Sequence, residues 1–167
     1  NLKGTCHMKK LLPTLAMACV TALASVAATA GEPVVTFSNV KDYTDFPYSE
    51  SESLQKLIAD HLIKQARNLP PTVDLKIEVL DIDLAGDIKA NFRTPTDIRV
   101  RKGRSDGPEM KVRFTISDHG KVIGSGEETL ADPNYLTRSN RYYSTDELRY
   151  EKLMMDDWLQ TRFGVNL

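Results

Sequence analysis

The amino-acid sequence predicts an α+β fold in two layers, a mainly antiparallel sheet with two helices on one face, in the order β-α-β-β-β-β-α. Several segments alternate apolar and polar side chains, which is typical of strands with one buried face. Two further segments repeat apolar side chains at helical spacing, so each predicts a helix with one apolar stripe. Short turns between consecutive strands favour antiparallel neighbours, and one-sided helices bury their stripes by covering one face of the sheet.

The first half of the domain predicts a strand followed by a helix. Residues 34–37, Val-Val-Thr-Phe, form the predicted first strand. Residues 49–52 have the Ser-x-x-Glu form of a capping box, which is a typical helix start. Apolar side chains then recur at helical spacing through residues 54–69, and two prolines at positions 70 and 71 end the helix.

Two strands are predicted next. Residues 73–84 alternate apolar and polar side chains, but the apolar side chains move from odd-numbered to even-numbered positions at Val79 and Leu80. This change indicates a β-bulge or a twist, or else a strand that becomes buried on both faces. Gly86 ends the strand, and residues 97–101 form a short following one.

The last part of the chain predicts a hairpin and a helix. Residues 110–117 show the clearest alternation, and residues 118–120 form a hairpin turn into a strand over residues 122–130. A second Ser-x-x-Glu spacing at residues 144–147 predicts the start of the last helix, whose apolar side chains continue to residue 163.

The first 30 residues differ from the rest and have the three-part form of a secretory signal peptide. After an upstream extension over residues 1–7, residues 8–30 supply a positive start, an apolar stretch and a small-x-small site that ends at Ala30. Cleavage after Ala30 leaves residues 31–167 as one α+β domain, periplasmic or secreted, with no transmembrane span.

A lipoprotein with its lipid on Cys19 is the disfavoured alternative for this leader. Met17 and Ala16 depart from the usual approach to such a cysteine, and cleavage there would leave residues 20–30 as an apolar tail.

Composition limits the function classes. The sequence has 22 basic and 23 acidic side chains, and the predicted mature domain keeps all the acids but loses Lys3, Lys9 and Lys10, so it is mildly acidic. Such a balance argues against a dedicated nucleic-acid binder. Both cysteines belong to the removed part, so we expect no disulfide, thiolate nucleophile or cysteine-based metal site in the domain.

Four short motifs resemble a bacterial family termed domain of unknown function 3016. They are Asp-Ile-Asp-Leu-Ala-Gly at residues 81–86, Asp-Ile-Arg-Val at 97–100, Leu-Ala-Asp at 130–132 followed by Tyr135, and Tyr-Glu-Lys-Leu-Met at 150–154 followed by Trp158. The resemblance covers nearly all of residues 33–163. It implies an exported protein and carries no activity or site residue.

Motifs for catalysis, metals or cofactors are weak, and we predict none of these. Asp81, Asp83 and Gly86 faintly resemble a calcium loop, but Ala85 and Phe92 occupy positions that require oxygen ligands. Residues 124–126, Gly-Ser-Gly, lie in a predicted strand rather than in a nucleophile elbow.

A local excess of basic side chains between residues 89 and 113 gives the main candidate site. Alternation places Arg99 and Arg101 on one strand face, and Lys111 and Arg113 on the outer face of the next strand. If these strands pair, four cations line one surface, which would bind an anion or an acidic partner. The alternative is a solvated or edge-protecting face whose cations pair with acids such as Glu127.

A second, weaker set of interaction candidates precedes the last helix: Arg138, Arg141, Tyr142 and Tyr143. Tyrosine and arginine are enriched at interaction hot spots. Equally, the tyrosine pair can be an apolar lead-in that packs against the helix.

The sequence therefore predicts a periplasmic protein of a Gram-negative bacterium, without enzymatic activity, that binds through a basic sheet face. Its partner would be an envelope protein or an anionic envelope component. The alternative is a small periplasmic hydrolase with a polar cleft that includes His61 or His119. Histidines that lie far apart, without carboxylate or hydroxyl neighbours, would disfavour the hydrolase.

Overall fold

The computed structural model describes residues 32–47, 51–91, 98–103 and 105–167. The predicted leader and the first two residues of the first capping box lie outside these ranges. The elements are β1 (Val34–Phe37), a short 3-10 helix (Val40–Asp42), α1 (Ser51–Ala66), β2 (Val73–Asp83), β3 (Asp87–Lys89), β4 (Ile98–Val100), β5 (Glu109–Asp118), β6 (Lys121–Ala131) and α2 (Arg149–Phe163).

Two sheets form the strand layer. The larger has the order β1-β2-β5-β6, and the smaller contains β3 and β4. The pairs β2-β5, β5-β6 and β3-β4 are antiparallel, whereas β1 lies parallel to β2. The α+β prediction is confirmed. The predicted order lacked β3, because three residues are too few to show a two-residue period.

One hydrophobic cluster joins the helices to the inner face of the larger sheet. Val112 and Phe114 of β5 meet Ile58 and Leu62 of α1 and Leu159 of α2 within this cluster, all at most 1% exposed. Burial of each such side chain contributes about 1.5–3 kcal/mol. The opposite face of the sheet carries mainly polar and charged side chains.

The predicted irregularity in β2 is a β-bulge. The register against β5 shifts between Val79 and Asp81, so that Ile82 is again buried on the core side. Gly86 follows with φ of 91°, and a Cβ atom there would lie 2.7 Å from Cγ of Arg101. Glycine at this turn therefore lets the chain after β4 pack closely against the end of β2.

The start of α2 differs from the prediction. The helix begins at Arg149, and no side chain caps it in the predicted way. Instead, the Asp146 carboxylate accepts a hydrogen bond from the Leu148 N–H at 3.0 Å and pairs with Lys152 at 2.7 Å. The Ser-x-x-Glu spacing at residues 144–147 is therefore not a capping box. Within the ranges described above, no helix combines the length and apolar character of a membrane span.

Candidate functional site

The four cations predicted to share a face lie on separate surfaces. β4 pairs with β3 and not with β5, so Arg99 and Arg101 do not line up with Lys111 and Arg113. The assumed strand pairing is therefore wrong, and each cation has its own surroundings.

Arg113 is held between two carboxylates on the outer sheet face. Its guanidinium lies 2.6 Å from Glu127 of β6 and 2.6 Å from Glu78 of β2, and Lys111 lies 3.6 Å from Glu127. Hydrogen bonds from Arg113 lower the pKa of Glu127, and those from Ser38 and then Arg113 lower the pKa of Glu78. Arg113 thus completes a ladder of ion pairs across three strands, as the alternative interpretation describes.

Arg99 has a structural position. Its side chain is 18% exposed and lies 2.8 Å from Asp45. The same guanidinium donates hydrogen bonds to the carbonyl oxygens of Leu84 at 3.2 Å and Gly86 at 2.6 Å. Arg99 therefore fastens β4 to the end of β2.

Arg101 has a different environment from the other three. It is exposed, and its guanidinium carbon lies 5.3 Å from the centroid of the Tyr150 ring. Arg149, which the sequence analysis did not select, lies 5.1 Å from the same centroid. In the part of the chain that the structure describes, neither guanidinium is within ion-pair distance of a carboxylate.

Two buried polar side chains accompany these cations. Tyr135 is 1% exposed and packs edge-on against Tyr150, with ring centroids 4.8 Å apart. Glu151 is 2% exposed, and its Oε1 atom accepts a hydrogen bond from the Ala85 N–H at 2.9 Å. We call Arg101, Tyr135, Arg149, Tyr150 and Glu151 the Tyr150 cluster.

Unsatisfied hydrogen-bonding atoms concentrate in the Tyr150 cluster. Four buried side-chain atoms of the described residues have no hydrogen bond of normal geometry, and three of them belong to this cluster: Glu151 Oε2, Arg149 Nε and the Tyr135 hydroxyl, which lies near the Asp106 carboxylate. The great majority of buried polar atoms in native structures have hydrogen-bond partners, so an unpaired one indicates a place where a water, an ion or a ligand can bind. Two such atoms in the cluster of one pair of cations, with a third on Arg149 itself, make this the candidate site.

Burial sets the protonation of the two acidic groups in the cluster. It raises the pKa of Glu151, against the opposing effects of the Ala85 N–H and, more weakly, of Arg101 and Arg99. It also raises the pKa of the Tyr135 hydroxyl, and Asp106 acts in the same direction. Burial therefore shifts both groups toward the protonated form, which can donate a hydrogen bond.

The candidates before α2 surround a second buried carboxylate, Asp156. Its Oδ1 atom lies 2.8 Å from Nε2 of His61, and its Oδ2 atom accepts hydrogen bonds from Tyr142 and from Arg141, the latter at 2.5 Å. Burial acts to raise the pKa of Asp156, but the hydrogen bonds from His61, Tyr142 and Arg141 bring it below its usual value. Burial and then Asp156 raise the pKa of Tyr142 to about 12. We call these four residues the Asp156 cross-link.

The remaining candidates lie apart from that cross-link. Arg138 pairs with Asp132 at 3.1 Å and with Asp157 at 2.5 Å. Tyr143 is 86% exposed, although its neighbour Tyr142 points inward. The packing interpretation therefore describes Tyr142 and not Tyr143.

The two candidate histidines lie in different parts of the fold, His61 in α1 and His119 in a turn. His119 occupies the turn between β5 and β6 with φ of 50°, next to Asp118. His61 has a carboxylate neighbour, as a hydrolase would require, but the side chains of His61 and Asp156 are only 7% and 0% exposed. Both Asp156 oxygens are taken within the cross-link, so the arrangement ties α1, α2 and the preceding loop together.

The same part of the chain contains no group of three or more histidine, cysteine, aspartate or glutamate side chains arranged to hold a metal ion.

Comparison with known proteins identifies the family to which this chain belongs. No curated protein matches the chain. A solved structure, the PelC dodecamer from Paraburkholderia phytofirmans, is similar at 16% sequence identity, with 78% of this chain and 88% of that chain covered and a TM-score of 0.29. A TM-score this low supports no argument about fold or function. The model of the family "Protein of unknown function (DUF3016)" matches residues 31–161. The chain therefore belongs to the DUF3016 family.

Proposed function

We propose that this chain is an exported binding domain of the bacterial cell envelope, without enzymatic activity, that holds a phosphate-bearing component at the Tyr150 cluster. One observation carries the proposal. Arg101 and Arg149 both lie against the Tyr150 ring, with no carboxylate at ion-pair distance among the described residues, in a cluster whose buried polar atoms lack hydrogen bonds.

Electrostatics favours an anion at this place. Two like charges near one ring repel each other, and an anion between or beside them offsets that repulsion. Guanidinium groups present a rigid fork of donors that matches the oxygens of phosphate or carboxylate. Since a phosphate monoester carries close to two negative charges near neutral pH, it balances two arginines better than a carboxylate does.

The residues of the Tyr150 cluster also differ in their exposure to solvent. Arg101 is exposed and Tyr150 is half-buried, whereas Tyr135 and Glu151 are buried. An oxyanion that reaches the two guanidinium groups from solvent would therefore find further donors on its inner side.

Titration with inorganic phosphate tests the proposal on the residue 31–167 domain. We expect the double variant Arg101→Gln, Arg149→Gln to bind at least about tenfold more weakly, because each lost charge-assisted hydrogen bond contributes about 1.5–3 kcal/mol. Arg113→Gln is the matched control and should bind like the wild type, since Arg113 is already paired with Glu78 and Glu127. Wild-type affinity in the double variant, or equal weakening by the control, would reject the site.

The phosphate group can belong to a soluble metabolite or to a lipid headgroup. Sedimentation with vesicles that contain phosphatidic acid, whose headgroup is a phosphate monoester, beside phosphatidylcholine vesicles and the inorganic phosphate titration, separates these sources. Binding to the anionic vesicles that the double variant loses assigns a lipid. Binding to inorganic phosphate alone assigns a soluble ligand, and absence of both kinds of binding contradicts the proposal.

Export rests on the signal-peptide pattern over residues 8–30. Fractionation of cells that express the full chain should place a product beginning at Gly31 in the periplasm or the medium. Ala30→Tyr should block processing, because the cleavage site needs a small residue at that position. Cytoplasmic accumulation of the uncleaved wild-type chain would contradict export.

A further inference from the structure

The Glu151 carboxyl is the unusual member of the Tyr150 cluster because it is acidic in a place proposed to hold an anion. It is the third residue of α2 and is 2% exposed. One oxygen accepts the Ala85 N–H at 2.9 Å, and the other has no partner.

We infer that Glu151 is a proton-linked hydrogen-bond donor of this anion site, so that the anion binds together with one proton. The inference rests on the proposed function and adds the regulation of the same site. An ionised Glu151 would repel an incoming oxyanion and cancel part of the charge of the arginines. A protonated Glu151 offers its O–H to the anion through the oxygen that has no partner.

The charged groups around Glu151 come from several elements. Arg99 and Arg101 act on it from β4 and the segment that follows. Arg149 precedes it on α2, and Asp106 acts on the neighbouring Tyr135 hydroxyl. Arg99 is neutralised by Asp45 at 2.8 Å, which leaves Arg101 as the cation outside an ion pair whose charge acts on Glu151.

The proton balance is simple. When free Glu151 is ionised, binding takes one proton from solvent to its carboxylate, and release of the anion returns that proton. When free Glu151 is already protonated, no proton moves. Linkage to one proton limits the loss of affinity to about tenfold per pH unit, since one pKa unit corresponds to 1.36 kcal/mol.

Sulfate is the suitable probe because its charge stays constant from about pH 5 to about pH 8, so a change in affinity reports on the protein. Calorimetric titration of the residue 31–167 domain should show affinity that falls as pH rises. Repetition in buffers of different ionisation enthalpy should show proton uptake on the descending part of the curve. This second measurement needs no variant.

Glu151→Gln keeps a donor in the same place without an ionisable group. We expect it to bind sulfate with the same affinity at every pH in this range, close to the wild-type value at the acid end. Glu147→Gln removes an exposed carboxyl four residues earlier on the chain and should keep the wild-type pH dependence.

Two failures are distinguishable. If the wild-type domain binds neither sulfate, nor inorganic phosphate, nor the anionic vesicles at any pH tested, the proposed function is wrong. If it binds sulfate with no proton uptake, or if Glu151→Gln retains the wild-type pH dependence, the role of Glu151 is wrong while the anion site stands.

Discussion

Two buried carboxylates on α2, Asp156 and Glu151, have opposite surroundings. Asp156 is fully buried and accepts hydrogen bonds from three side chains, those of His61, Arg141 and Tyr142. Glu151 is 2% exposed, accepts one backbone N–H, and leaves one oxygen without a partner. Correspondingly, the pKa of Asp156 lies below its usual value and that of Glu151 lies above it.

The difference separates a structural role from a binding role. A buried charge whose hydrogen bonds are complete fixes the segments that supply the donors. A buried polar group with incomplete hydrogen bonds destabilises the fold unless something else completes them. Asp156 therefore explains how the loop before α2 is held, whereas Glu151 marks a place where a ligand can add hydrogen bonds.

Removal of Asp156 should have the largest effect on stability. Asp156→Ala leaves His61, Tyr142 and Arg141 without their shared acceptor, and breaking a buried pair in this way costs about 3–5 kcal/mol. The free energy of unfolding in urea measures this loss. Asp157→Ala is the control, since its half-exposed pair with Arg138 is worth less than about 1 kcal/mol. Similar losses for both variants would contradict the cross-link.

The same distinction should hold between the paired arginines. Arg99→Gln removes hydrogen bonds to Asp45 and to two backbone carbonyls, so we expect a loss of about 2 kcal/mol in the free energy of unfolding. Arg113→Gln on the outer face should cost less than about 1 kcal/mol, because its side chain is half-exposed. A larger loss for Arg113→Gln than for Arg99→Gln would contradict the prediction that Arg99 contributes more to stability than Arg113.

Glu151→Gln should have a smaller effect on stability than Arg99→Gln, and in the stabilising direction. Because the folded pKa of Glu151 lies above the unfolded value of 4.5, the folded state binds more protons and wild-type stability falls as pH rises from that value. The glutamine variant avoids this loss, so it should gain on the order of 1 kcal/mol at neutral pH and little in acid. Urea unfolding at both pH values measures it.

The outcome that would contradict this prediction is a variant that is less stable than the wild type at neutral pH. Asp156 should show the opposite pH dependence. Since its folded pKa is lowered from 3.8, its contribution is present above that value and is lost as pH falls through the folded pKa.

Local patterns predicted most of the fold. Alternation located β5 and β6, and the change of parity at Val79 located the bulge in β2. The parallel pairing of β1 with β2 follows from the helical crossover between them. β3 was missed because its three residues carry no period.

The site was less predictable because its contacts are distant in sequence. The alternation of side chains predicted which face of its strand Arg99 and Arg113 each occupy. It could not predict which strand pairs with β4. The Glu151 carboxyl accepts a hydrogen bond from the Ala85 N–H, 66 residues earlier, and no local sequence pattern predicts that contact. Arg149 directly precedes Tyr150, and this Arg-Tyr pair was the one local signal that could have directed attention to the cluster.

A titration of the isotopically labelled residue 31–167 domain with inorganic phosphate, followed by NMR of backbone amides and arginine Nε–H groups, tests the central claim most directly. We predict that the largest chemical-shift changes occur at Arg149 Nε–H, at the Arg101 guanidinium and at the amides of Tyr150 and Glu151, with no saturating change at Arg113. Saturating changes at Arg113 with none at the Tyr150 cluster would contradict the claim.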